Sequence, residues 1–193
     1  MITGVLLAAG ESRRMGDFKQ LLPLGEKTFV EHCVDQLLAS GVGELIVVTG
    51  HREWDVRQAL GGRPVRFAHN ADYRSGMASS IKCGIRAASE KARAFLIALV
   101  DQPQIQAETI RHLIQVFDQG QARIVIPRYD ERNGHPILLD ERLRDEILNM
   151  SEEDGLRQIV RAHESEIQRI DVSSRAVVDD CDLPEDYDRL LSS

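Results

Sequence analysis

The segment Phe95-Leu96-Ile97-Ala98-Leu99-Val100 is apolar without interruption and stops abruptly at Asp101. A strand with one wet face alternates apolar and polar side chains, whereas a strand apolar throughout needs cover on both faces. This run therefore calls for a sheet with helices packed above and below it. Similar runs rich in β-branched and aliphatic residues occupy positions 2–8, 44–49, 65–69, 123–127 and 166–172. Helix-period segments separate them, at 28–40, 52–60, 78–89, 107–119, 140–149 and 155–163. In the first of these, Phe29, Cys33, Leu37 and Leu38 share one face, and Gly41 stands at the expected C-cap. Alternation of strand and helix favours right-handed crossovers, so the predicted fold is α/β, a three-layer α/β/α arrangement around a mainly parallel sheet.

Bulk properties narrow the function classes. A length of 193 residues, with no repeat or low-complexity tract, suits a single domain spanning 1–193. Apolar residues at 42% and charged residues at 28% are enough to order nearly the whole chain. The net charge of −7 argues against a broad nucleic-acid face, which needs basic residues to displace counterions. The apolar stretch Val5-Leu6-Leu7-Ala8-Ala9 is too short to cross a bilayer and lacks a basic leader, so a cytoplasmic protein without a membrane partner is expected. Cys33, Cys83 and Cys181 are odd in number and far apart, which suggests small buried residues rather than a disulfide framework or zinc site.

Ligands of open α/β sheets gather beyond the carboxyl ends of the strands. Three places qualify: the loop after Leu7, the turn Thr49-Gly50-His51, and Asp101-Gln102-Pro103. In the loop, Ala8, Ala9 and Gly10 let a ligand approach the backbone, whose N–H groups can cradle phosphate. Arg13, Arg14 and Lys19 then place three positive charges within seven residues of an acidic protein. A polyphosphate is the natural guest; a solvated basic loop with a glycine turn is the plain alternative. Five residues separate Gly10 from Gly16 and Asp17 stands where a P-loop needs Lys, so the Walker pattern fails. The Gly-x-Gly-x-x-Gly pattern of dinucleotide sites is absent too.

Asp101, at the end of a buried strand, is well placed to hold Mg²⁺, though an Asp there also closes a turn or caps a helix. Asp182 offers a second carboxylate, yet Pro184 followed by acids also reads as an ordinary helix start. From Asn70 to Ser80 small residues and hydroxyls lead into a helix, a composition that suits either a nucleotide or simple capping. Arg132-Asn133-Gly134-His135-Pro136 reads as a turn between strands at 124–128 and 136–139.

Together these segments resemble the molybdenum cofactor cytidylyltransferases, nucleotidyltransferases with a Rossmann-like, glycosyltransferase-A-type fold. The resemblance spans nearly the whole chain. It is carried by Leu7-Ala8-Ala9-Gly10-Glu11-Ser12-Arg13-Arg14-Met15-Gly16 through Lys19-Gln20-Leu21-Leu22-Pro23-Leu24, then Gly50-His51, Gly76-Met77-Ala78-Ser79-Ser80, Asp101-Gln102-Pro103, Gly134-His135-Pro136 and Asp182-Leu183-Pro184-Glu185-Asp186. The resemblance implies nucleotide contacts from Leu7, Ala8, Ala9, Gly10, Ser12, Arg13, Arg14, Lys19, Gly76 and Ser80. It implies catalytic roles for Lys19, Arg14 and Asp101, and Mg²⁺ held by Asp101 with Asp182. Leu183 departs from the family's frequent Thr. Ala9, where related guanylyltransferases tend to carry Gly, points to CTP rather than GTP.

The implied second substrate is molybdopterin, met by Gly134, His135 and Pro136, and a client molybdoenzyme is an implied partner. Its terminal phosphate would attack the α-phosphorus of CTP, giving the cytosine dinucleotide and pyrophosphate. Both reactants are anions, and one pair of unit charges about 4 Å apart repels by roughly 4 kcal/mol at an effective dielectric near 20. Fixed positive charge must therefore supply much of the catalysis, and an ionised phosphate nucleophile needs no general base, so His51 and His135 are binding candidates first. Two alternatives are a transferase of the same fold using GTP or a sugar or polyol phosphate, and a non-catalytic module that carries the cofactor to a molybdoenzyme.

Overall fold

A computed structural model describes residues 1–120 and 122–192. Along the chain run β1 (Ile2–Leu7), the short hairpin β2 (Pro23–Leu24) and β3 (Lys27–Thr28), α1 (Phe29–Ala39), β4 (Glu44–Thr49), α2 (Glu53–Ala59) and β5 (Arg66–His69). Then come α3 (Met77–Ala87), β6 (Ala94–Leu99), α4 (Ala107–Gln119), β7 (Ile124–Tyr129), β8 (Arg132–Asn133) and β9 (Ile137–Asp140). The last elements are α5 (Arg144–Asn149), α6 (Leu156–Ala162), β10 (Ile167–Asp171) and α7 (Pro184–Leu191). The strands and helices read from the sequence lie where its periodicity puts them, with ends shifted by a residue or two, whereas β2, β3 and β8 are too short to carry a period. The helix expected over 140–149 divides, a 3-10 turn at Glu141–Leu143 leading into α5.

The main sheet runs β10-β7-β9-β6-β1-β4-β5, with β8 paired to the end of β7. Strand β1 pairs in parallel with both β4 and β6, and β4 in parallel with β5, as expected. The exceptions are β9, inserted antiparallel between β6 and β7, and the short β8, antiparallel to the end of β7. Both faces are covered. Leu6, Leu96 and Ala98 point toward the core under α1 and α4, while Val5, Leu7, Phe95 and Ile97 point toward the core under α3 and α5. This two-sided burial is what the uninterrupted apolar runs require. Helix α3 lies so close that a Cβ on Gly84 would stand 2.3 Å from Val5 Cγ1.

The hairpin after β7 differs from its sequence reading. Arg128 pairs with Asn133 and Tyr129 with Arg132, so the turn is the two-residue tip Asp130-Glu131, with φ of 48° and 64°. Such two-residue tips fit the strand twist by taking left-handed backbone at both positions. Gly134-His135-Pro136 is instead the crossing that carries the chain from β8 into β9. Gly134 N–H donates to Pro127 O at 2.8 Å and His135 N–H to Val177 O at 2.8 Å. A Cβ on Gly134 would lie 2.2 Å from Val177 O, so only glycine lets the C-terminal segment pack against this crossing.

Candidate active site

Successive strands leave β1 in opposite directions, β4 on one side and β6 on the other, which makes the end of β1 a topological switch point. A cleft of about 310 Å³ opens there. Leu7, Ala9, Gly10, Ser12, Arg13, Arg14, Lys19, Gly76, Ser80, Asp101 and Asp182, all singled out in the sequence, line it together. Ala8 does not. The alternation of the strand turns its methyl group to the opposite face, into the core beneath α1, and its carbonyl alone serves the loop.

The loop is shaped by a residue that the sequence places in the block carrying the resemblance but to which it gives no role. Gln20 is buried, and its amide nitrogen donates to Ala8 O at 3.1 Å and Gly10 O at 2.9 Å. Ser12 Oγ donates to Gln20 Oε1 at 3.0 Å and accepts from Lys19 N–H at 3.1 Å. These bonds fold the loop back on itself and set Lys19 at its base. An amide between Lys19 and Leu21 reads equally well as a surface residue, so the residue was legible as part of the block but its role as a staple was not. Gly50 is needed where the turn after β4 passes underneath, since a Cβ there would approach Ala9 O and the Tyr73 ring to 2.8 Å. His51 next to it does not line the cleft. Its N–H donates to Ala9 O at 3.0 Å, and its ring packs edge-on to Phe18, centroids 5.7 Å apart.

The charged centre lies where β6 ends. Lys19 Nζ is 2.6 Å from Asp182 Oδ1 and 3.3 Å from Asp101 Oδ2, and Arg14 Nη2 is 2.7 Å from Asp182 Oδ2. Asp182 is brought there by the chain after the 3-10 turn Arg175–Val177. Cys181 N–H donates to Asp101 O at 2.9 Å, and Gln102 Nε2 donates to Val177 O at 3.1 Å and Asp180 Oδ1 at 2.8 Å. Burial raises the Asp101 carboxyl above its ordinary pKa; Lys19 opposes this, and the nearby Asp180 and Asp182 add to it. Asp101 Oδ1 is buried with no hydrogen-bond partner among the described residues. An orphaned carboxylate oxygen beside a second carboxylate fits a hard divalent cation such as Mg²⁺, which takes oxygen ligands and shares them with phosphate. Among the described residues no three metal-ligating side chains converge, so the remaining positions would fall to phosphate oxygens and water.

On the far wall, Asn70 Nδ2 donates to Ser79 Oγ at 2.9 Å and Ser80 Oγ at 3.0 Å, fixing the start of α3. Gly76, at φ 122°, supplies the left-handed backbone that precedes Met77. Glu11, likewise given no role by the sequence, bridges the two walls. It pairs with Arg13, accepts from Arg74 Nε at 2.7 Å and from Tyr73 OH at 3.3 Å. The Arg74 hydrogen bond first, then that of Arg13, pulls its carboxyl pKa down to about 2.

The expected second-substrate triplet is split. Gly134 and His135 line a separate cavity of about 630 Å³, which meets the cleft at Met77. Pro136 lines a small pocket on the opposite face, with Cys33 and Gln102, because successive residues of extended chain face opposite ways. Burial lowers the His135 pKa, so the imidazole is neutral near pH 7.

Comparison with known proteins places this geometry. Residues 4–167 match the family model described as a MobA-like NTP transferase domain. A protein of Paenarthrobacter nicotinovorans described as nicotine blue oxidoreductase is 35% identical over 98% of this chain and 96% of its own length. The molybdenum cofactor cytidylyltransferase of Escherichia coli K12 is 24% identical over 95% of this chain and 92% of its own. Among solved structures, the manganese complex of Rv0371c from Mycobacterium tuberculosis H37Rv superposes with a TM-score of 0.86 at 29% identity, covering 100% of this chain and 98% of that one. The chain belongs to the MobA-like NTP transferase domain family and, with it, to the nucleotidyltransferases.

Proposed function

We propose that the whole chain works as one cytidylyltransferase domain, moving CMP from CTP to the terminal phosphate of molybdopterin and releasing pyrophosphate. The observation that carries this reading is the convergence of Lys19, Arg14, Asp101 and Asp182 at the mouth of one cleft. In this reading the triphosphate lies along the loop from Leu7 to Arg14. The nucleoside rests against Ala9, Gly76 and Ser80, where the small side chains leave room for it. Lys19, buried at the junction, meets the α-phosphate and offsets the charge gathered as the second phosphate approaches. Arg14 also lines an adjoining cleft of about 480 Å³, a position suited to receiving the departing pyrophosphate. Asp101 and Asp182 would hold Mg²⁺, which supplies charge neutralisation and orientation at the phosphates when bound.

Support for CTP and for molybdopterin comes from Ala9 and from the likeness to the Escherichia coli enzyme. The test is pyrophosphate release by purified protein with CTP or GTP, Mg²⁺ and molybdopterin, with the product identified by mass. Lys19→Ala and Asp101→Ala should each lower turnover by on the order of 10²–10³-fold while circular dichroism stays native. Near-normal rates in both would remove the assignment.

A second reading is favoured by one observation, the 35% identity with a protein described as an oxidoreductase. There the same cleft would hold a redox cofactor instead of a reacting triphosphate. Oxidation of NADH or NADPH in the presence of an electron-accepting dye, with no pyrophosphate released from any nucleotide, would select it.

A further inference from the structure

The cavity beside the cleft has properties that nucleotide binding does not use. It lies between α3, α6 and the crossing into β9, and the apolar part of its lining is formed by Ala78, Ile81, Ile126, Ile137, Leu156 and Val160. Its volume of about 630 Å³ suits a small molecule with a ring-sized body. Three polar groups facing it are idle. The half-buried His135 imidazole has no hydrogen-bond partner among the described residues, and the Arg157 and Arg161 guanidinium groups have no ion pair or hydrogen bond there. Most other arginines of the chain, Arg14, Arg63, Arg74 and Arg128 among them, hold carboxylates. Three acids that line the same cavity do not supply partners. Glu152 is taken by Lys82 at 2.5 Å, Asp154 Oδ2 accepts from the Ser151 hydroxyl at 3.5 Å, and none of Glu152, Glu153 and Asp154 pairs with either arginine.

We propose that this cavity receives the body of the acceptor substrate, and that Arg157 and Arg161 select acceptors carrying an anionic group besides the phosphate that reacts. The inference rests on the nucleotide occupying the neighbouring cleft, as read above. The two spaces meet at Met77, which is 55% exposed, so a molecule can extend from one into the other. The reacting phosphate must sit by Lys19 and Asp101, which line the cleft and not the cavity. An anion at Arg157 and Arg161 is therefore a second one, on the part of the acceptor lodged between α3 and α6. Charge-assisted hydrogen bonds from a guanidinium are strong and directional, so the pair would exclude neutral analogues of the same shape. His135, neutral and unpartnered, is free to hydrogen-bond a polar edge of the ring.

Fluorescence titration with two probes tests this, using pterin-6-carboxylate and 6-methylpterin, which share a ring and differ in the anionic group. The native protein should bind the carboxylate at least about tenfold more tightly. Arg157→Gln/Arg161→Gln, both at exposed positions, should erase that gap and leave 6-methylpterin and CTP binding unchanged. Equal affinity of the native protein for both probes, lack of binding of either, or a gap that survives in the double variant would overturn the proposal. The outcomes separate the two readings. Charge discrimination without cytidylyl transfer to molybdopterin would sink the proposed reaction and keep the pocket, whereas transfer without discrimination would do the reverse.

Discussion

Lys19 holds two carboxylates that would otherwise repel each other, and it does so from a buried position. The arrangement favours chemistry over stability. Asp101 has a folded pKa above its unfolded value, so its ionised form is less welcome in the fold than in the open chain. The linkage has a definite sign: stability from this group is complete below the unfolded carboxylate pKa and falls as pH rises through the raised folded value. Asp101→Asn should therefore melt at a higher temperature than the native protein at pH 7 in chelator, because Lys19 keeps Asp182 at 2.6 Å as a partner. The difference should vanish in acid below about pH 4, where both forms are neutral. A lower melting temperature for Asp101→Asn at pH 7 would show that the Lys19 pair outweighs burial. Loss of turnover with a gain in stability is the usual trade at a functional site.

At the scale of elements, the cleft depends on two loops held to each other by Glu11. One follows β1; the other is the 3-10 turn Tyr73–Ser75 that leads into α3. Tyr73 and Arg74 donate to Glu11 across the cleft, Arg13 holds Glu11 from within its own loop, and Arg52 over the Phe18 ring at 4.7 Å ties the first loop to the turn after β4. Lowering of the Glu11 pKa means that its contribution is present above the ordinary carboxylate pKa of 4.5 and is lost as pH falls toward about 2. Glu11→Gln should accelerate amide exchange in residues 10–18 and 73–76 at neutral pH, while exchange in β1, β4 and β6 stays at the native rate. Unchanged exchange in both loops would mean that Gln20, not Glu11, carries the closure. The role of Gln20 was not legible in the sequence for the same reason that its effect is local. It satisfies two backbone carbonyls in a loop whose path only the folded chain defines.

For the molecule as a whole, the thiols report how the layers open. Cys33 is buried under β6, near the Leu99 and Val100 carbonyls, and burial raises its pKa far above the ordinary thiol value. Cys181 sits beside Asp101 with its pKa raised to about 11, again by burial first. Cys83, on α3, is only partly covered. A thiol reagent should modify Cys83 first, and Cys33 and Cys181 only on unfolding. Mg²⁺ with CTP at about 100 times its Kd should slow the buried pair by up to about 100-fold, since ligand binding to the folded state adds about 2.7 kcal/mol. Cys33 reacting as fast as Cys83 would contradict this picture of the core. No helix among the described residues is long and apolar enough to cross a membrane.

What the sequence determined by itself is the layered α/β plan and the strand ends at which chemistry gathers. Apolar period and run length register burial directly, and Asp101 is legible because it ends a run buried on both sides. Tertiary structure decided everything that depends on distant segments meeting. It brought Asp182 across 163 residues to Lys19, turned Ala8 away from the cleft, and moved the hairpin tip from Gly134 to Asp130-Glu131. It also split the Gly134-His135-Pro136 triplet between two spaces, because successive residues of the chain entering β9 face opposite sides of the sheet. The physical reason is one of range: hydrophobic period is written in neighbouring residues, whereas the pairing of charges and the packing of loops are fixed only when the sheet closes and removes water between them.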